Sequence, residues 1–168
     1  MKNFRLIISS INETEEIFDK NVNEYEKIYL GNWCFKDRYL ATEQKVVNYH
    51  WNDRQKLEKD FFYLDKLHEK LLISLQDTLN KFHKKKNSLK FWRILCGYWL
   101  HCYISSTFDR WENIQKAFKE YPNINQLQIY YDESLIVGSN TREFMNLVSD
   151  EKWNQNIYHQ ILSYLEDK

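Results

Sequence analysis

Ionisable side chains gather where this chain is most aromatic. His50, Asp53 and Arg54 sit together in Tyr49-His-Trp-Asn-Asp-Arg54, while Arg93, His101, Asp109 and Arg110 fall within Ser88 to Phe118. A histidine or aspartate in such surroundings can take the proton of an attacking hydroxyl, and arginines beside it can oppose the charge of a phosphate or carboxylate. His50 and Asp109 are the catalytic candidates, with Arg54, Arg93 and Arg110 as anion holders. A further cluster, Leu30-Gly-Asn-Trp-Cys34, offers Gly31 for a close backbone approach and Trp33 for an aromatic contact. Taken singly, each residue has a plainer role: Asp53 stabilises a helix start, Arg54 bonds a carboxylate, Arg93 and His101 are buried polar groups with partners, and Trp33 or Trp111 fills the core. Taken together, their density points to a polar pocket, with Gly31, Trp33, Asp53, Arg54, Arg93, His101 and Arg110 as its ligand-binding set.

Other chemistries find little support. The 5 histidines are scattered at positions 50, 68, 83, 101 and 159 without an HxxxH or HExxH pair, so neither a metal nor another cofactor is expected. No GxGxxG, Walker loop, GxSxG or protein-kinase set occurs. Lys+Arg and Asp+Glu balance at 24 each, so no overall field draws the chain to nucleic acid or acidic lipid. Cys34, Cys96 and Cys102 are odd in number and lack CxxC spacing, which suits reduced, buried thiols. The N-terminal apolar stretch is too short for a secretory signal, and the expected location is the cytoplasm.

The elements that must position these residues are mostly long helices. With 168 residues, one domain spanning 1–168 is expected, and its 3 glycines and 1 proline leave few tight turns. From Ser88 to Phe118 large apolar residues recur at helical spacing, and from Leu89 to Phe108 the remaining faces are apolar too, which predicts a core helix with no side there meant for water. Arg93, Gly97 and His101 share one of its stripes. That helix is too short in its apolar run, and too charged at its ends, to cross a bilayer. Before it, Leu57, Phe61, Leu64, Leu67, Leu71, Leu75, Thr78 and Phe82 mark the stripe of a second long helix, opened by a capping box of Asn52 and Gln55. The His83-Lys-Lys-Lys-Asn87 break and the cap Ser88 join the two as an antiparallel hairpin, 53–83 and 88–119. Short apolar runs at Phe4 to Ser9, Glu24 to Leu30 and Lys45 to Trp51 predict strands, and Leu127 to Val137 an interrupted strand or a strand and loop. Tyr121-Pro-Asn123 ends the central helix. Asn140 to Glu143 reads as another capping box, and Ser149 as the cap of a last helix with the stripe Trp153, Ile157, Ile161 and Leu165. The architecture expected is α/β: a small, mainly parallel sheet, a Rossmann-like half, with dominant long helices and chemistry at the carboxyl ends of the strands.

At these same residues the sequence resembles a known family. LGNWC, YHWNDRQKLEKDFFYLDKLHEKLL, LNKFH, SLKFWRILCGYWLHCYISSTFDRWENI and DEKWNQNIY are similar, in order and spacing, to the N-terminal part of a family of transferases encoded in bacterial O-antigen and surface-carbohydrate loci. The HWNDR and FWRILCGYWL blocks are its most specific parts. Members of that family are several times longer, with a later portion like a sugar transferase of the two-Rossmann-domain kind. The resemblance implies a truncated, split or stand-alone N-terminal domain that faces the acceptor. It implies a nucleotide-sugar or phosphate-bearing ligand, and a partner chain carrying the missing half. The alternatives are a non-catalytic domain completing that partner, with an apolar patch around Tyr130, Tyr131 and Leu135, and a binding module without turnover.

Overall fold

A computed structural model of the chain describes residues 5–19, 25–35, 44–122, 124–126 and 138–166. Its contacts divide the chain into two compact units, residues 1–50 with 109–168, and residues 51–108.

The first unit is built on a parallel sheet. Strands β1 (Arg5–Ile8), β2 (Glu26–Tyr29), β3 (Lys45–Val46) and β4 (Ile124–Gln126) lie in the order β3-β2-β1-β4, and every described pairing is parallel. Helix α1 (Ile11–Asp19) connects β1 to β2. Leu6, Ile8, Tyr29 and Cys34 are buried together with Phe35 and Val46 against them, as strands covered by helices require. Along the ladder Arg5 pairs with Glu26, and Lys45 reaches the same carboxylate. These partners hold the Glu26 carboxyl below the ordinary range, hydrogen bonding to Lys45 contributing most. Helices α5 (Thr141–Leu147) and α6 (Glu151–Glu166) complete this unit, Phe144 meeting Trp153 edge to face at 5.8 Å.

The second unit is a helical hairpin of α2 (Arg54–His83) and a return helix. The return begins as α3 (Leu89–Trp92), widens into one π-helical stretch (Arg93–Gly97), and continues as α4 (Tyr98–Glu120), whose residues from Asp109 onward belong to the first unit. Leu64 and Leu72 of α2 pack with Leu100 and Ile104 in an antiparallel sense, flanked by Trp51, Leu67, Leu75, Trp99 and Phe108. Among the described residues no helix is long and apolar enough to cross a membrane.

Several local expectations are corrected. The third strand is confined to Lys45–Val46, and His50–Asn52 is a short 3₁₀ turn. Asp53 rather than Asn52 caps α2, its Oδ1 accepting from the amides of Gln55 and Lys56 at 3.0 and 3.1 Å. Ser88 does cap the return helix, accepting from the Phe91 amide, and Asn140 caps α5. The Glu143 carboxylate, however, reaches back to the Ser139 amide at 2.7 Å instead of to Asn140. Asp150, not Ser149, caps α6 through the Trp153 amide at 2.9 Å. In each shifted case a carboxylate, a stronger acceptor than a neutral side chain, has taken the orphan amide. The stripe of α2 is also displaced: Leu64, His68 and Leu72 are buried, whereas Phe61, Leu71 and Phe82 are exposed. His68 can occupy that line because its Nε2 donates to the Gly97 carbonyl at 2.9 Å. The return helix is not sheltered all round, since Phe91, Ile94, Leu95 and Tyr98 face outward. Cys34 is buried, but Cys96 and Cys102 are only partly so, and all are free thiols. Leu127 to Val137 lies outside the described residues, while β4 precedes it at positions 124–126.

The hairpin's turn depends on one side chain. Asn80 Oδ1 accepts from the Asn87 amide and from Trp92 Nε1 at 2.9 and 3.0 Å, and its Nδ2 donates to the Asn87 carbonyl at 2.9 Å. Truncation leaves both partners without these bonds, so Asn80→Ala should lower unfolding stability by about 2 kcal/mol in urea denaturation, where a surface change such as Lys81→Ala costs a small fraction of that.

Candidate functional site

The strand order marks where a site belongs in the first unit. β2 and β3 are laid down to one side of β1 and β4 to the other, so the sheet switches direction at β1, and ligands of open α/β sheets bind beyond the carboxyl ends at such a point. A cavity of about 480 Å³ opens beyond the carboxyl ends of β1, β2 and β3. Ser9 follows β1, Trp33 follows β2 and Tyr49 follows β3, and all three line it. Asp109 and Arg110 from α4 form a further wall, with Glu151, Asn154 and Tyr158 of α6 completing it.

Asp109 is the hub of this wall. Its Oδ1 accepts from the Tyr49 hydroxyl at 2.7 Å and lies 2.9 Å from His50 Nε2, while Oδ2 accepts from Arg110 at 2.8 Å. An ionised Asp109 can only accept, which places the His50 proton on Nε2. His50 is buried behind Asp109, whereas Asp109 itself lines the cavity. Arg110 is held in turn: its Nε and one terminal nitrogen donate to Asn154 Oδ1 at 2.9 and 2.8 Å, and that nitrogen also reaches the Val148 carbonyl at 3.3 Å. Burial pushes the Tyr49 hydroxyl well above its ordinary range, and its bond to the Asp109 carboxylate adds to the effect. Burial does the same to Tyr158, whose oxygen accepts from Asn113 Nδ2 at 3.2 Å. Both phenols therefore stay protonated near neutral pH and serve as hydroxyl groups in the wall. Cys34 is no nucleophile: burial pushes its thiol up to about 12.

At the end of β1, Ser10 caps α1 by accepting from the Glu13 amide at 3.1 Å, and the Glu13 carboxylate bonds the Ser9 amide and hydroxyl. In dinucleotide-binding folds the helix after the first strand presents its free amides to phosphate. Here the chain's own carboxylate fills the Ser9 amide, in keeping with the lack of a glycine-rich loop. Glu13 is buried, and desolvation raises its carboxyl above the ordinary range although Ser9, Ser10 and Gln155 partly offset this.

The sequence-predicted residues divide between the units. Asp109, Arg110 and Trp33 line the cavity with His50 behind Asp109, and Gly31 stands just behind Trp33. A Cβ on Gly31 would lie 2.0 Å from the Trp33 ring, so the close approach it permits is to its own chain. Trp33 is 43 % exposed, and its Nε1 donates to the Ser9 carbonyl at 3.1 Å, which places it at the cavity's edge and outside the core. Asp53, Arg54, Arg93 and His101 are in the second unit. Asp53 is the cap of α2, Arg54 is exposed at its first position, Arg93 pairs with both oxygens of Glu69, and His101 stacks edgewise on His68 at 5.6 Å. Sequence reasoning missed Glu151, Asn154 and Tyr158, whose 3 and 4 residue spacing sets them on one face of α6. It also missed Glu13, for which Ser10-x-x-Glu13 is a capping-box signal.

A small parallel sheet with long helices, and a cavity beyond the carboxyl ends of its strands, defines an α/β protein. Residues 11–168 match the family described as LIC12162 family transferase, and the chain belongs to that family. No curated protein and no solved structure matches it.

Glu13 supplies a pH signature. With its folded pKa raised, the native state binds the proton more tightly than the unfolded chain, so stability falls as pH climbs from the ordinary glutamate range through the raised value. Denaturation curves at acidic and neutral pH should show that slope in the wild type, and Glu13→Gln, which keeps the shape and carries no charge, should flatten it.

Proposed function

We propose that this transferase-family chain works in the transfer of a sugar during assembly of a bacterial surface polysaccharide such as O-antigen or lipopolysaccharide, and that its cavity receives the acceptor. The observation that carries the reading is the convergence of Tyr49, His50 and Arg110 on Asp109 in the wall of a cavity at the carboxyl edge of a parallel sheet. Asp109 takes the proton of the acceptor hydroxyl as that oxygen bonds to the anomeric carbon of an activated sugar. The bond from that carbon to phosphate breaks, and the leaving phosphate departs with the electron pair. His50 positions Asp109 from behind and Tyr49 orients the same oxygen. Arg110 opposes the negative charge of a phosphate-bearing ligand.

A thermal-shift and transfer assay with the purified chain, nucleotide sugars and carbohydrate acceptors tests the reading, because a ligand preferring the folded state raises apparent stability. Ligand-dependent shifts are expected in wild type and in Asp109→Asn, which preserves shape, with transfer reduced ~10²–10⁴-fold in the variant. Tyr49→Phe should reduce it less. A well-folded sample that shifts with no donor or acceptor would sink the proposal and favour a non-catalytic domain that completes a partner. Transfer undiminished in Asp109→Asn would remove Asp109 from the base role.

A further inference from the structure

The chain is electrically balanced overall, yet the tip of the helical hairpin is not. Lys81, Lys84, Lys85 and Lys86 line a shallow hollow of about 590 Å³, with Asp77 as its carboxylate, and the exposed Lys90 follows on the return helix. These charges sit on a fixed loop. Lys84 adopts the left-handed conformation (φ 53°), the Lys85 amide donates to the Asn80 carbonyl at 2.9 Å, and Asn87 is tied to Asn80 and, at 3.3 Å, to Gln76. Basic groups held this way need not be ordered when they meet an anionic partner.

Beside the lysines lies an apolar surface. Phe82 is 79 % exposed, and on the return helix Phe91, Ile94, Leu95 and Tyr98 are 45, 78, 63 and 66 % exposed. Their spacing of 3, 4 and 7 residues from Phe91 places them along one helical strip, opposite the face through which Trp92, Cys96 and Leu100 pack into the hairpin. Phe82 connects to this strip through consecutive ring contacts: Phe82 to His83 at 5.0 Å, His83 to Trp92 at 5.9 Å, and Trp92 to Phe91 at 5.0 Å. A basic rim thus stands beside outward-facing apolar side chains, Phe82 and the Phe91–Tyr98 strip, which are linked beneath the surface by the buried Trp92.

We propose that the hairpin tip docks on a bilayer surface rich in anionic phospholipid, the lysines meeting headgroup phosphates while Phe82, Phe91, Ile94 and Leu95 enter the headgroup–acyl boundary. Lysines and aromatic or aliphatic residues sharing one face are what that boundary accommodates, with each lysine stem covering apolar surface below its charge. Nucleic acid fits the surface less well, because Ile94 and Leu95 offer bases neither a stacking plane nor a hydrogen bond, and the basic loop contains no arginine. The inference rests only on the second unit and is independent of the cavity's chemistry.

Co-sedimentation of the purified full chain with lipid vesicles tests it without any substrate. Vesicles containing phosphatidylglycerol should carry the protein down, phosphatidylcholine vesicles far less, and added salt should release much of it. Combining Lys84→Gln, Lys85→Gln and Lys86→Gln should weaken binding at least ~10-fold with an unchanged thermal midpoint, since these side chains are exposed. Ile94→Ser with Leu95→Ser should remove the part that resists salt. Equal binding to both vesicle types, no binding to either, or undiminished binding by the lysine variant would overturn the proposal. So would lysine-dependent binding to a single-stranded oligonucleotide by protein that ignores vesicles.

Discussion

Asp109 is a carboxylate withdrawn from water, and much of the first unit is arranged so that its charge is answered. An ionised group costs several kcal/mol to bury unless donors replace its hydration. Here they come from Tyr49 and His50 beyond β3 and from the adjoining Arg110. Arg110 passes the constraint on by clasping Asn154 and the Val148 carbonyl, which fixes the turn that leads from α5 into α6. Glu151, Asn154 and Tyr158 reach the cavity wall from that turn and the helix it starts. Satisfying one carboxylate therefore aligns a strand end, a helix face and a helix start around a common space.

Much of this organisation is legible in the residues. Short apolar runs near Arg5 and Glu26 and the leucine periodicity from Leu57 are strong signals because burial on a strand and burial on a helix demand different spacings. The hairpin follows from the His83-Lys-Lys-Lys-Asn87 break and the Ser88 cap. The misplaced caps share one cause: choices between neighbouring acceptors, such as Asn52 against Asp53 or Ser149 against Asp150, are settled by a difference of one hydrogen bond. β4 carries almost no signal, because Ile-Asn-Gln becomes a strand only by pairing with β1 across more than a hundred residues. His68 was hidden for a related reason, since nothing local announces that the Gly97 carbonyl will be there to receive its proton.

The site was legible as a density of ionisable and aromatic residues, but not as a geometry. His50, Asp109 and Arg110 meet, whereas Arg93 is spent on Glu69 and Asp53 on a helix start. Sequence distance is uninformative here: Asp53 and Arg54 are close neighbours of His50, yet Asp53 caps α2 and Arg54 is exposed at its first position. The first helix makes a similar point. Its place after β1 invites a phosphate, but Glu13 already holds the Ser9 amide, and the charged side chains that line the cavity come from later in the chain.

The wide turn at Arg93–Gly97 sets a rule of a different kind, about which length changes the chain tolerates. A π-helical stretch holds one more residue than the α-helical turn it replaces but winds through nearly the same angle, so the helix on either side keeps its faces. Removing a single residue there would restore regular winding and leave Leu100 and Ile104 facing Leu64 and Leu72. In the α-helical part of the return, where each residue advances the helix by about 100°, the same removal would turn whatever follows it away. Substitutions at Ile94 or Leu95 disturb no buried packing. Homologous chains should therefore vary across this segment in letters and by one residue in its count, while keeping the count from Tyr98 to Ile104.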